Sequence, residues 1–140
     1  MIQLILAVNL FCSFLLCGLI WTIQLVHYPM FHRLDRNRFS EHIRFHGFRI
    51  SLLVIPLMIL ELITSASLVF ISEYHTNHHL AGLATVLLIW LSTFFLQVPL
   101  HSKLMNGYDS SAVNRLIHTN TIRTILWSLK TALGMVIIFG

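Results

Sequence analysis

The sequence predicts an all-α, integral membrane four-helix bundle built from two parallel helical-hairpin repeats, on three observations. First, 56% hydrophobic and 10% charged among 140 residues lies outside the range of a soluble domain. Second, four apolar runs, at about residues 2–26, 50–72, 80–100 and 124–139, approach the length that crosses a hydrocarbon core of roughly 30 Å. Third, the halves 1–70 and 71–140 follow one order: apolar helix, Pro, basic loop, Arg, apolar helix. Laying Pro29 on Pro99 puts Arg33 and Leu34 on Lys103 and Leu104 at the same offset of 70 residues. A slip of four then lays His46 and Arg49 on Asn120 and Arg123, as in a parallel membrane repeat. Residues 1–140 therefore read as a single transmembrane domain.

The first run has no Lys or Arg ahead of it and exceeds the apolar core of a signal peptide, so it is expected to stay in the mature chain. Asn9, Ser13, Cys17, Ile20, Gln24 and His27 fall within an arc of about 80° at about 100° per residue. Polar groups facing hydrocarbon are costly, so this stripe should point into the bundle. Cys12 and Cys17 sit about 140° apart around the helix, so they cannot bridge, and their spacing fits neither a redox pair nor zinc. Trp21 and Tyr28 read as interface aromatics, and Pro29 should end the helix.

Between Arg33 and Phe48, the apolar Phe39, Ile43 and Phe45 predict a short surface helix, capped by Ser40 and running into the second span. His42, His46 and Arg49 share one of its faces. Pro56 predicts a kink, and Glu61 lies near mid-span on the face of Thr64, Ser65 and Ser72. The connection EYHTNHH holds three His in the manner of a metal-binding tract, but solvated His in a tight loop is the simpler reading, and no metal site is expected. In the third span Thr85, Ser92, Thr93 and Gln97 should be satisfied by neighbouring helices. Asn106–Gly107 marks a turn, Ser110 or Ser111 starts the next helix, and Asn120, Arg123, Trp127 and Lys130 share one face of it.

Charge sets the expected orientation. Arg33, Arg36, Arg38, Arg44 and Arg49 follow the first span, Lys103, Arg115 and Arg123 follow the third, and residues 73–79 carry no Lys or Arg. Basic loops stay on the cytoplasmic side, which places both termini on the non-cytoplasmic side of a cell membrane. The net charge of +4 then meets anionic lipid headgroups, which accounts for the basic balance without nucleic acid.

Two constellations carry candidate chemistry. Gln24, His27, His46 and Arg49 should converge with Gln97, His101, Asn120 and Arg123 about an axis along the membrane normal. There His27, His46, His101 and Arg123 would do the chemistry, and Gln24, Arg49, Gln97, Lys103, Asn120 and Trp127 would bind a lipophilic phenolic or quinone-like molecule. The bland alternative has the Arg residues reaching lipid phosphates and the His residues bonding loop carbonyls. The second constellation is Glu61 with Lys130, roughly 18 Å and 10 Å inside Arg49 and Arg123 at about 1.5 Å per residue, and close enough to pair. No cofactor is the first expectation, with edge-bound haem on His27 and His46 as the alternative. A haem- or quinone-binding electron carrier and a small proton-coupled transporter using Glu61 are the competing functions, and a second copy of the chain is a candidate partner. Neither HExxH nor a Ser/His/Asp motif is present.

The stretches QVPLHSKL, from Gln97 to Leu104, and NTIRT, from Asn120 to Thr124, resemble the small four-helix membrane family that includes fungal anthrone oxygenases. HYP at His27 to Pro29 and Pro56 early in the second span are similar too, so the resemblance covers most of the chain. It departs at His101, where members commonly carry Asn. The resemblance implies cofactor-independent oxidation of a phenolic anthrone to a quinone, with Pro99, Lys103, Asn120 and Arg123 as the matched positions.

Overall fold

The structure, a computed structural model, describes residues 1–71 and 76–139. Four helices are each long and apolar enough to cross a membrane: α1 Ile2–Arg33, α2 Phe39–Ile71, α3 Asn77–Leu104 and α4 Ser110–Phe139. Each packs on its chain neighbours, and α4 returns against α1, closing an up-down-up-down ring. Ser72, Glu73, Tyr74 and His75 lie outside the described residues, and with them part of the three-His tract.

The polarity of the bundle is that of a multi-pass membrane protein. Leu25, Phe70, Leu88, Phe95 and Ile125 are exposed, whereas Asn9, Ser13, Glu61, Gln97, Asn120, Arg123 and Lys130 are buried. Large apolar side chains that would cost free energy in water are at ease against lipid, and the polar ones find partners only inside. The helices also approach closely at glycines. A Cβ on Gly134 would lie 2.5 Å from the Leu10 side chain, and one on Gly82 would press on the Lys130 stem.

The helices that carry Pro29 and Pro99 pass through these prolines instead of ending there, as α2 does through Pro56. A π turn at Ile23–His27 precedes Pro29, and another at Thr93–Gln97 precedes Pro99, separated by the same 70 residues as the prolines themselves. Proline lacks an N–H and its ring crowds the carbonyl four residues back. In the wider turn that region bonds five residues on, as Tyr28 N–H does to Ile23 O and Val98 N–H to Thr93 O, so the helix absorbs the proline and continues. The inserted residue advances the helical phase by about 100° downstream. His27 is thereby exposed, off the face predicted for it, and Tyr28 takes its place inside, not at the interface.

The basic loops close the same end of the bundle. The surface segment from Phe39 is continuous with α2, and Ser40 lies in its first turn while Asp35 organises the preceding loop by accepting from Asn37 N–H. In the second loop Gly107, at φ 149°, makes the turn, and Asp109 caps α4 by accepting from Ala112 N–H at 3.0 Å. The Lys103 ammonium bonded to Asp109 is the first cause, and the Ala112 N–H the second, that hold this carboxyl below its ordinary range. His32 ties the two loops together, at 3.0 Å from the Tyr108 hydroxyl and 2.9 Å from Asn114 Oδ1.

Candidate functional site

Near the basic end, α2 and α3 part around a cavity of about 380 Å³ whose wall is mostly apolar, with Ile50, Val54, Ile55, Met58 and Val98 among its lining. Tyr28, His46, Gln97, His101 and Arg123 supply its polar side. The size and the lining, apolar with a few convergent polar groups, suit a small lipophilic molecule.

Arg123 is 6% exposed and has no ion-pair partner among the described residues. Its guanidinium carbon sits 5.0 Å from the Trp127 ring centroid, where the ring's π face partly offsets the missing counter-charge. Asn120 Oδ1 accepts from Arg123 Nη1 at 3.4 Å, and Asn120 Nδ2 donates to Gln24 Oε1 at 2.8 Å. Gln24 in turn donates to Thr121 Oγ1 and Ile117 O. Gln24 and Asn120 stand outside this cavity; they orient the guanidinium.

The Tyr28 hydroxyl is 2.9 Å from His101 Nε2 and also interacts with the Arg123 guanidinium. Guanidinium only donates, so we assign the phenol as the donor to His101 Nε2. That assignment puts the imidazole proton on His101 Nδ1. His101 Nδ1, Arg123 Nε and Gln97 Oε1 are all buried without a hydrogen-bond partner in the protein. Of five such atoms among the described residues, these three belong to residues lining this one cavity. Leaving buried polar groups unpaired costs about 1–3 kcal/mol each, so their clustering points to a polar ligand group as the missing complement. They amount to two donors and one acceptor.

The predicted convergence of eight residues is divided by the packing. His46 stands between two cavities, its ring centroid 6.5 Å from that of His101 and 4.7 Å from that of His27. Beyond it, His27 and Arg49 line a separate groove of about 390 Å³ between α1 and α2. Imidazoles on opposite faces of one iron need roughly 6 Å between centroids, given metal–nitrogen bonds of about 2 Å, and the His27 and His46 rings stand closer than that here. Lys103 is also outside the cavity, in its ion pair with Asp109.

Glu61 and Lys130 both face the interior, yet they do not pair directly. Lys130 Nζ donates to Asn9 Oδ1 at 2.8 Å, and Asn9 Nδ2 donates to Thr64 and Ser65, each at 2.8 Å, and to Glu61 O at 3.2 Å. The Glu61 carboxylate accepts from Ser13 Oγ at 2.6 Å and from Trp127 Nε1 at 3.1 Å. Asn9 thus links Lys130 to the backbone and hydroxyls of the Glu61 turn, while the carboxylate itself is held by Ser13 and Trp127. Sequence reasoning placed Asn9 only in a stripe and Tyr28 only in the interface belt. The Tyr-Pro dipeptide was the available signal for Tyr28, since a proline that does not end a helix displaces the phase before it.

Comparison with known protein families, with curated proteins and with solved structures gave no significant match, so function is read from the geometry of the cavity.

Proposed function

We propose that this protein is an oxygenase-like membrane oxidoreductase whose cavity binds a lipophilic compound carrying a phenolic hydroxyl beside a ketone. The observation that carries the reading is the set of three unpaired buried atoms. The donors Arg123 Nε and His101 Nδ1 suit the ketone oxygen, and Gln97 Oε1 suits the hydroxyl. An anthrone has this arrangement, in keeping with the resemblance in the Gln97–Leu104 and Asn120–Thr124 stretches.

In the proposed reaction a CH₂ group and dioxygen become C=O and water. His46 takes a proton from the acidic CH₂ carbon, and the negative charge that develops on the ketone oxygen is held by Arg123 and His101. The enolate gives an electron to dioxygen, the two radicals join as a carbon-bound peroxide, and cleavage of the O–O bond with loss of the second C–H proton leaves the carbonyl and water. His27, exposed with its ring centroid 4.7 Å from that of His46, would pass the first proton outward. The basic end would face the cytoplasm; a cysteine at Asn37 should then resist impermeant thiol reagents in whole cells, and one at Asn77 should react.

The test is oxygen uptake by the detergent-purified protein with a hydroxylated anthrone. Arg123→Lys keeps the charge but loses the planar fork, and activity should fall about 100-fold while the protein stays folded. Wild-type turnover in Arg123→Lys would reduce Arg123 to a membrane anchor and remove the reading.

A further inference from the structure

The groove on the far side of His46 has a chemistry of its own. It is lined by His27, His42 and Arg49 together with the apolar Phe45, Ile50 and Leu53, among others. His42, Phe45, Arg49 and Leu53 succeed one another at three or four residues along α2, hence on one face. Leu53 is one turn, about 6 Å, deeper toward mid-membrane than Arg49, and His42 is about two turns nearer the loop. Along the membrane normal the groove therefore runs from cationic to apolar, the order of phosphate and acyl chain in a phospholipid.

The charge in the groove is uncompensated. Arg49 is exposed and has no ion-pair partner among the described residues; its one aromatic contact holds the guanidinium carbon 5.8 Å from the Phe45 ring centroid. Arg123 differs, being buried against Trp127 and braced by Asn120. An exposed guanidinium at the start of an apolar run, with apolar lining one turn further along the helix, matches an anionic amphiphile that approaches sideways from the bilayer.

We propose that this groove is a discrete binding site for one anionic phospholipid, its phosphate on Arg49 and His42 and one acyl chain along Ile50 and Leu53. The site meets the ligand cavity only at the shared wall of His46 and Ile50 and does not depend on the oxidation proposed for that cavity.

The experiment is native mass spectrometry of the protein released from vesicles of phosphatidylglycerol and phosphatidylcholine in equal parts. Wild type should retain one phosphatidylglycerol in preference to phosphatidylcholine. Arg49→Gln should lower that preference about fivefold, as expected for one basic group at a membrane surface, and Arg49→Lys should keep most of it. Arg38→Gln, in the loop outside the groove, should leave it unchanged. Leu53→Trp should reduce retention by filling the chain channel. Equal retention of the two lipids by wild type, or equal losses in Arg38→Gln and Arg49→Gln, would overturn the site in favour of diffuse charge attraction. Displacement of the lipid by millimolar inorganic phosphate would overturn the acyl-chain half of the proposal.

Discussion

Two buried polar regions share the inside of this bundle and differ in how they are satisfied. In the network around Asn9, every side chain meets a partner: Lys130 on Asn9, Asn9 on Thr64 and Ser65, Ser13 and Trp127 on the Glu61 carboxylate. In the cavity near the basic end, Gln97, His101 and Arg123 each leave a buried atom unpaired. A closed network has nothing left to offer a ligand, and its cost of burial is met within the protein; it fixes how α1, α2 and α4 fit together. An open set of donors and an acceptor, next to a mostly apolar wall, is arranged to be completed by something else. On the proposed reading, ligand chemistry belongs to the basic end and structural specificity to the Asn9 network, although Glu61 and Lys130 are the more conspicuous residues in the sequence. Trp127 joins the two regions, with its N–H on Glu61 and its ring against Arg123.

The largest expected effect tests that division directly. Asn9→Leu leaves the buried Lys130 ammonium without its acceptor and takes the donor from Thr64 and Ser65, a loss on the order of 3–5 kcal/mol in detergent unfolding. Gln97→Leu gives up a bond to Thr119 but also removes an unpaired amide oxygen, and should cost under about 1 kcal/mol while abolishing ligand binding. Comparable destabilisation by the two substitutions would erase the distinction between network and site.

A smaller effect sharpens it. Glu61→Gln and Lys130→Met, alone and together, should show a coupling energy of about 1–2 kcal/mol in thermal stability, with the double variant less harmed than the sum predicts. Lys130 reaches the Glu61 turn through Asn9, so the cycle repeated in Asn9→Ala should return additive losses. Coupling that survives unchanged without Asn9 would mean that the charges communicate by another route.

The smallest effect lies outside both regions, at the Asp109 cap. Its carboxyl is held below the ordinary value near 3.9, so its contribution is complete above that pH and disappears as pH falls through the lower folded value. The stability lost between about pH 5 and pH 2 should therefore be slightly smaller in Asp109→Asn than in wild type, and cavity ligand affinity at pH 7 should be the same in both. A change in affinity would tie this loop to the site.

The sequence alone determined the parts of this protein that follow from regular helical phase and from transfer free energy. Run length and hydropathy specified four spans, and the unbroken 3.6-residue period of α4 was enough to bring Asn120, Arg123, Trp127 and Lys130 to one buried face. Clustered Arg and Lys marked one end of the bundle. Tertiary structure decided what depends on a broken period or on the depth of one helix against another. The π turns before Pro29 and Pro99 shifted the phase of α1 and α3, exchanging His27 for Tyr28 at the site, and no periodicity read across the turn can show that shift. The packing of α1, α2 and α4 set Lys130 on Asn9 and the Glu61 carboxylate on Ser13 and Trp127. The packing of α2 set His46 as a wall, sending Arg49 and Arg123 to different cavities although the repeat aligns them. A one-dimensional pattern records which face a residue occupies on its own helix; which neighbouring groups it meets depends on rotations and offsets between helices, and those are settled only when all four pack at once.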